Sequence, residues 1–313
     1  EQEKPDGNFP TAPYPNPEIR QAFACALKLA ETVKPDLLLA TDPDCDRVGI
    51  AVLDSGDYTL MTGNEVGCLL LNYVLTTRAE LGTLPEYPVT VKTIVTSDLV
   101  LRIAEKFGCE VREVLTGFKY IGEQIGLLEK EGHPERYVFG FEESYGYLSG
   151  TYVRDKDGVN ASMLICEMAA YYKKQGKSLL DVLDALYAEF GVYRHILINA
   201  EFEGAEGMAT MHKLMESLRE NRPQEIAGLA VMRFSDYLAS RSVDMRTGAE
   251  TVLTLPKSNV LVFGLEDGAG VIVRPSGTEP KIKAYVTATG TDKAAAEAMA
   301  ERLTDAAKEL LKA

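Results

Sequence analysis

The amino-acid sequence predicts an α/β protein that ends in a small α+β domain. Over residues 62–191, short apolar runs alternate with segments of helical periodicity, which indicates a mixed, mainly parallel sheet with helices on both faces. Residues 1–61 contain one helical segment and three strand-like runs, which amounts to part of a further α/β domain. From residue 192 onward, most apolar runs read as strands with few helices between them, which favours an antiparallel sheet.

Composition narrows the class of protein. The 313 residues are 46% hydrophobic and 26% charged, as in ordinary globular proteins, and the length suits two or three domains. The sequence has no apolar run of about 18 residues, the length that a membrane-spanning helix requires. A formal net charge of −14 argues against nucleic acid or an anionic membrane as the main partner. Small phosphorylated ligands stay possible, because a local basic site can lie in an acidic protein.

The cysteines predict the cellular compartment of the protein, and the first residues predict a part of a longer chain. The sequence has five cysteines, an odd number without C-x-x-C spacing, which indicates buried thiols in a reducing compartment and therefore a cytoplasmic protein. The sequence begins with Glu1-Gln2-Glu3 and resembles the interior of a longer chain, so we expect a carboxyl-terminal part.

In the first part, Asn16 and Pro17 are typical of a helix start, and Pro35 is expected to end that helix. Two apolar strands then flank an acidic loop at residues 42–47. A turn at residues 54–57 leads to a third strand.

The second part begins with a capping box at Thr62-Gly-Asn-Glu65, which predicts a helix start. Ser97 is expected to cap the next helix, and a loop is predicted over residues 116–122. The predicted strands are 89–95, 111–115 and 137–141, and the closing helices are 159–174 and 178–190.

In the third part, the turn Asp267-Gly-Ala-Gly270 separates two predicted strands. The predicted strands are 195–202, 229–234, 260–265, 271–273 and 282–287, and the predicted helices are 205–218 and 292–311.

The acidic loop is the strongest chemical signal. Asp42, Asp44 and Asp46 alternate between two apolar strands, and close carboxylates repel one another by about 1 kcal/mol per pair even in water. A cation would offset that repulsion, and hard oxygen ligands suit Mg²⁺ or Ca²⁺. The neighbouring Arg47 indicates a bound anion such as phosphate.

Three other interpretations of this loop differ from a magnesium site. An EF-hand would need Gly at loop position six and Glu at position twelve, where Arg47 and Leu53 stand, so it is excluded. An aspartyl-phosphate nucleophile of the haloacid-dehalogenase type would want Thr or Val where Asp46 stands. A solvated acidic turn stays open as an alternative.

Residues 274–280 form a plausible anion site between two strands. Arg274 can bind bidentately, Ser276 and Thr278 can donate, and Gly277 lets backbone N–H groups approach. A turn of purely structural role with an exposed arginine would have the same sequence pattern.

Two further segments carry weaker signals. Glu142 and Ser144 lie at a predicted strand end and could bind sugar hydroxyls, and Tyr145 could stack on the ring. Lys119 could offer a point charge to phosphate, although an exposed lysine is a common surface feature. The three histidines have no partner motif and receive no role.

Taken together, the segments TDPDCDR, TGFKYIG, FEESYG, VRDKDG and RPSGTEPKIKAY resemble, in order and spacing, the signatures of the α-D-phosphohexomutases, the phosphoglucomutase and phosphomannomutase enzymes. The resemblance covers essentially the whole chain. It implies three domains: residues 1–61 as the end of the metal-binding domain, 62–191 as the sugar-binding domain and 192–313 as the phosphate-binding domain.

The resemblance also implies roles for individual residues and ligands. Mg²⁺ would lie on the three aspartates, Arg47 and Lys119 would serve the phosphoryl transfer, and glucose 1,6-bisphosphate would activate the whole enzyme. Sugar hydroxyls would be bound by Glu142 and Ser144. The non-transferred phosphate would be bound by Arg274, Ser276, Gly277 and Thr278.

The family's Thr-Ala-Ser-His-Asn-Pro-like phosphoserine segment does not occur in these residues. We therefore expect the carboxyl-terminal part of a mutase, inactive alone and dependent on the amino-terminal domains of its own chain. Phosphoglucomutase is favoured by the E-E-S form of the sugar segment, while mannose and pentose specificities and a non-catalytic sugar-phosphate binding module stay open.

Overall fold

The computed structural model describes residues 2–202, 206–276 and 279–312. Contacts between Cα atoms divide the chain into two compact units, Glu1–Leu186 and Tyr187–Ala313. In the residues that these ranges cover, no helix is long and apolar enough to cross a membrane.

The first unit opens with helix α1 and a three-stranded antiparallel sheet in the order β1-β2-β3. Strand β2 lies in the middle and is buried over its first five residues. The turn between β2 and β3 places Ser55 and Gly56 at positive φ, as a two-residue hairpin loop requires. The bounds are α1 Ala24–Val33, β1 Leu37–Thr41, β2 Val48–Asp54 and β3 Asp57–Met61.

The predicted start of α1 is wrong. Asn16 accepts a hydrogen bond from the Glu18 N–H at 3.0 Å, but this bond closes a local turn. Ile19 is extended (φ −110°, ψ 140°), so the chain does not continue into a helix there. A short 3₁₀ segment, Arg20–Phe23, precedes the α-helix.

The rest of the first unit is the predicted α/β domain. Its sheet has the order β5-β4-β6-β7, in which β5, β4 and β6 run parallel and β7 is antiparallel to β6. Every residue of β4 and β6 is buried, as expected for strands covered on both faces. The elements are α2 Gly63–Glu80, β4 Val89–Thr93, α3 Leu99–Lys106, β5 Glu110–Val114, α4 Phe118–Glu131, β6 Tyr137–Glu142, β7 Gly146–Leu148, α5 Gly158–Lys173 and α6 Leu179–Phe190, whose last four residues are assigned to the second unit.

Most helix signals of this domain are confirmed, with one correction. Thr62 and Glu65 form the predicted capping box of α2. Ser97 accepts the Leu99 N–H at 3.3 Å beside the start of α3. The predicted loop over residues 116–122 is wrong beyond its first two residues, because α4 begins at Phe118. Buried apolar residues of α4 recur at helical spacing and pack in the core, which stabilises the helix: Phe118, Ile121, Ile125 and Leu128.

The second unit is built on one largely antiparallel sheet with the strand order β12-β11-β10-β13-β14-β15-β8, and β9 pairs with β10. Its buried core lies between the sheet and residues of α7 and α8. The strands β9, β11 and β12 were not predicted. The elements are β8 Val192–Glu201, α7 Gly207–Glu220, β9 Glu225–Ile226, β10 Leu229–Asp236, β11 Arg241–Asp244, β12 Glu250–Val252, β13 Leu261–Leu265, β14 Gly270–Pro275, β15 Lys281–Gly290 and α8 Lys293–Leu310.

Candidate functional site

The acidic loop joins β1 to β2, and its three aspartates converge. Carboxylate oxygens of Asp42, Asp44 and Asp46 all lie within 4.8 Å of one another. Asp42 Oδ1 accepts backbone N–H groups from Asp46 at 3.1 Å and Arg47 at 3.0 Å, which curls the loop around its own first carboxylate. Three oxygen donors at this spacing fit the ligand preference of Mg²⁺, with water or phosphate oxygens available to complete the coordination.

Two cations reach the same carboxylates. Arg47 Nε lies 3.6 Å from Asp42 Oδ2 and 3.7 Å from Asp46 Oδ1, and Arg47 Nη1 lies 3.3 Å from Glu18 Oε1. Lys156 Nζ lies 2.8 Å from Asp46 Oδ2. The loop therefore combines close carboxylates with fixed positive charge, an arrangement suited to a metal ion and a phosphoryl group together.

These neighbours move the pKa values of two aspartates in opposite directions. Burial is the main cause that raises the pKa of Asp42, and the nearby Asp46 adds to it. Burial also acts upward on Asp46, but the hydrogen bond and charge of Lys156 outweigh it and lower the pKa of Asp46. Asp46 is thus held in its charged form more firmly than Asp42.

The acidic loop contacts the carboxyl edge of the β5-β4-β6-β7 sheet at two points. The Val48 N–H donates to the Tyr145 carbonyl at 3.1 Å, and the Gly158 N–H donates to the Cys45 carbonyl at 3.0 Å. A Cβ on Gly158 would lie 2.6 Å from that carbonyl oxygen, so only glycine permits this approach. The segment that ends in Gly158 places Lys156 beside Asp46 as a result.

The predicted sugar-binding segment forms the turn between β6 and β7. Glu142 is buried, and its Oε1 accepts the Gly117 N–H at 2.7 Å. Burial raises the pKa of Glu142 above its ordinary value, and the Gly117 N–H opposes that effect. Ser144 is half-buried in the turn itself, and Tyr145 has a positive φ of 65°. A residue with a large side chain, such as Tyr145, is strained in this backbone conformation. Backbone strain of this kind is common at functional sites.

Lys119 lies in the first turn of α4, not in a loop. Its Nζ is 4.8 Å from the centroid of the Tyr120 ring. The neighbouring Phe118 ring lies 5.7 Å from Lys156 Nζ. The start of α4 thus contacts both the predicted sugar-binding turn, through Gly117, and the lysine that pairs with Asp46.

The predicted phosphate segment lies in the second unit. Arg274 stands near the end of β14, directly opposite Lys283 on β15. The Ser276 N–H donates to the Lys281 carbonyl at 2.7 Å, and the Ser276 hydroxyl accepts the Glu279 N–H at 3.2 Å. Gly277 and Thr278 lie outside the described residues.

Two lysines were missed by the sequence interpretation. Lys156 lies in the V-R-D-K-D-G segment, whose resemblance was recognised without a role for its lysine. Lys283 faces Arg274 across the strand pair, and like charges directly opposite each other are destabilising unless an anion lies between them. The alternation of Lys281 and Lys283 along β15 was the available signal.

Comparison with known proteins places these features in one family. Family models described as phosphoglucomutase/phosphomannomutase match consecutive stretches: alpha/beta/alpha domain II at residues 1–56, alpha/beta/alpha domain III at 62–190 and the C-terminal domain at 197–306. A phosphoglucomutase of Staphylococcus aureus (strain bovine RF122 / ET3-1) is 41% identical over 285 residues, which is 91% of this chain and 50% of the relative. The chain thus spans about half the length of the curated relatives it matches.

Solved structures agree on the fold. The exocytosis-sensitive phosphoprotein pp63/parafusin (phosphoglucomutase) of Paramecium, in its open form, has a TM-score of 0.64 at 19% identity and covers 94% of this chain and 49% of its own. A phosphoglucomutase/phosphomannomutase family protein of Burkholderia thailandensis has a TM-score of 0.59 at 16% identity and covers 97% and 53%. The family matches, the sequence identity and the mixed and antiparallel sheets all agree: the chain belongs to the phosphoglucomutase/phosphomannomutase family, the α-D-phosphohexomutases.

Proposed function

We propose that this chain is the part of a phosphosugar mutase, of the phosphoglucomutase type, that binds the metal, the sugar and one phosphate. The observation that supports it most is the convergence of the acidic loop with three other segments in the first unit. Asp46 pairs with Lys156, Tyr145 binds the strand after the acidic loop, and Glu142 binds the start of the Lys119 helix. These contacts favour a built site over a solvated acidic turn, because they fix positive charge and buried polar groups around the aspartates.

The residues take separate roles in this proposal. Asp42, Asp44 and Asp46 hold Mg²⁺, which neutralises charge on a transferring phosphoryl group when bound. Arg47 and Lys119 bind that phosphoryl group, and Lys156, beside Asp46, supplies a further positive charge for it. The sugar hydroxyls are bound by Glu142 and Ser144. The other phosphate is bound by Arg274, Ser276, Gly277 and Thr278, with Lys283 as an additional cation.

We also propose the domain division at residues 1–61, 62–191 and 192–313, a cytoplasmic location and activation by glucose 1,6-bisphosphate.

Movement of phosphate between two hydroxyls of one sugar requires a group that holds the phosphoryl while the sugar turns. No serine of this chain lies in the family's phosphoserine segment. We therefore expect binding without turnover until a phosphoserine-bearing domain is supplied.

The test measures binding and turnover separately on this chain. Glucose 1-phosphate, mannose 1-phosphate and ribose 1-phosphate are titrated calorimetrically in Mg²⁺, and a coupled assay follows glucose 6-phosphate formation. We expect glucose 1-phosphate to bind most tightly of the three. In the coupled assay we expect no turnover. Arg274→Ala removes a charge-assisted contact worth about 1.5–3 kcal/mol, so affinity should fall at least tenfold.

Two results would contradict the proposal. Absence of binding for all three phosphosugars would remove the sugar-phosphate site. Turnover by the chain alone, at the rate of a complete family mutase, would require a nucleophile among these residues.

A further inference from the structure

Lys92 is a fully buried lysine at the carboxyl end of β4, with a side-chain exposure of 0%. Its Nζ lies 2.9 Å from Asp98 Oδ1 and 2.8 Å from Glu113 Oε2. It also donates to the backbone carbonyls of Thr93 at 3.3 Å and Thr96 at 3.2 Å. The ammonium group therefore joins the end of β4, the turn after it, the start of α3 and the neighbouring strand β5.

Stability alone does not explain a lysine at this place. Desolvation of a buried ion pair offsets much of its attraction, and well-packed apolar residues often replace such pairs without loss. Asp98 and Glu113 are about half exposed, at 51% and 44%, so both carboxylates could be hydrated without the lysine. An apolar side chain, however, cannot bind the two carbonyls of the turn, so the specific contribution of Lys92 is the shape of residues 93–98.

That turn carries a chain of hydroxyl groups toward the sugar-binding segment. The Thr93 N–H donates to Thr96 Oγ1 at 3.3 Å, and the two threonine hydroxyl oxygens lie 2.9 Å apart. The Thr93 hydroxyl donates to Glu143 Oε2 at 3.5 Å. The directions are consistent: Thr96 donates its proton to Thr93, and Thr93 donates its own to the carboxylate of Glu143.

A second contact joins the same turn to the same segment. The Ser97 N–H donates to Asn64 Oδ1 at 2.9 Å, in the first turn of α2. The neighbouring Gly63 packs against the backbone of Glu143, where a Cβ would lie 2.1 Å from its carbonyl oxygen. Backbone and side chain of Glu143 are thus both supported by groups that contact the turn at residues 93–98.

We propose that Lys92 is a positioning residue for sugar recognition, which acts through Thr93 to orient Glu143, and that Glu143 is a further acceptor for a sugar hydroxyl beside Glu142. This inference rests on the proposed function of the turn between β6 and β7. Lys92 itself, with no exposed surface, does not contact the ligand. A carboxylate whose backbone and side chain are both held in place can select sugars by the direction of their hydroxyl groups.

The test uses this chain with glucose 1-phosphate and inorganic phosphate as calorimetric probes in Mg²⁺. Lys92→Met removes the cation, Thr93→Val removes only the hydroxyl at nearly constant shape, and Thr93→Ser restores the hydroxyl. We expect the first two variants to bind glucose 1-phosphate about threefold more weakly, because the Thr93–Glu143 hydrogen bond is long and acts on the ligand through Glu143. Thr93→Ser should bind like the original chain, and all variants should bind inorganic phosphate unchanged.

The outcomes separate this inference from the proposed function. If the original chain shows no preference for glucose 1-phosphate over inorganic phosphate, the proposed function fails. If it shows that preference and Thr93→Val and Lys92→Met keep it in full, Lys92 has no positioning role and the inference is wrong. Equal weakening of both probes would also contradict it, because that result indicates general loss of structure. Should Lys92→Met fail to fold, Thr93→Val against Thr93→Ser decides alone.

Discussion

The Lys156 ammonium lies 2.8 Å from the carboxylate of Asp46, one of three converging aspartates. A fixed positive charge at this distance competes with a divalent cation for the same oxygen. We therefore expect Lys156→Gln to tighten Mg²⁺ binding, by roughly fivefold, since close unit charges interact by about 1 kcal/mol even in water. Calorimetric titration with Mg²⁺ measures this effect.

Lys130→Gln is the matched control for that variant. Lys130 lies exposed in the last turn of α4 and should leave Mg²⁺ affinity unchanged. Weaker Mg²⁺ binding by Lys156→Gln would show that Lys156 organises the ligands more than it competes with the ion. Glucose 1-phosphate affinity should fall in the same variant, because an anion loses a nearby cation.

The contact between Gly63 and the proposed sugar-binding turn predicts a large effect from one methyl group. A Cβ at Gly63 would lie 2.1 Å from the Glu143 carbonyl oxygen. The nearby atoms belong to the backbone, so they cannot move away without a large cost in free energy. Gly63→Ala should lower the free energy of unfolding by about 2 kcal/mol, the range of overpacked sites, and weaken phosphosugar binding. Urea denaturation and calorimetry measure the two effects.

Gly126 offers the opposite case within the same domain. It lies inside α4 with no atom within 4 Å of a Cβ position, so Gly126→Ala should raise the free energy of unfolding by about 0.5–1 kcal/mol. Destabilisation by Gly126→Ala, or tolerance of Gly63→Ala, would be evidence against the local packing described for α4 or α2.

Sequence reasoning predicted the parts of this fold that depend on local signals. The capping box at Thr62, the turn at Ser55 and Gly56, and the parallel strands were all readable from residue type and spacing. Strands β11 and β12 were missed because they are only four and three residues long, and such short strands owe their structure to pairing with neighbours. The start of α4 was missed because Gly117, at φ 119°, reads as a loop residue while it turns the chain into the helix.

The acidic loop was predictable as a cluster because its three aspartates alternate within five residues of sequence. Its partners were not, since they come from distant segments. Lys156 reaches Asp46 only because Gly158 packs against the Cys45 carbonyl, and Glu18 reaches Arg47 from the irregular segment before α1. Charge alone cannot identify such pairs in a chain with 33 basic and 47 acidic residues.

Cys45 holds a left-handed backbone conformation, φ 57°, within the acidic loop. This conformation costs non-glycine residues about 1–2 kcal/mol. Cys45→Gly should therefore raise the free energy of unfolding by about 1 kcal/mol. Mg²⁺ affinity should stay the same, because a thiol is a poor ligand for a hard cation. Lower Mg²⁺ affinity in this variant would indicate that the cysteine side chain shapes the site.

Burial raises the pKa of Glu142 above its unfolded value of 4.5. Between pH 4.5 and the raised pKa of the folded state, the folded chain binds this proton more tightly than the unfolded chain does. The contribution of Glu142 to stability is therefore largest below about pH 4.5 and is lost as pH rises through the folded pKa. Glu142→Gln keeps an oxygen for the Gly117 N–H but cannot titrate.

The difference in unfolding free energy between the original chain and Glu142→Gln should thus fall as pH rises above 4.5 and then level off. Urea denaturation at a series of pH values measures this difference and cancels the other titrating groups. A difference that grows with pH would mean that the Gly117 hydrogen bond outweighs burial at Glu142.

Magnesium titration of the chain, compared with its Asp44→Asn variant, tests the proposed site most directly. Asp44 is the exposed member of the triad, so asparagine there changes one ligand with little effect on the fold. We predict a single weak Mg²⁺ site in the original chain, completed by water, and a clearly weaker one in Asp44→Asn. Identical isotherms for the two proteins would contradict the assignment of the three aspartates as the metal site.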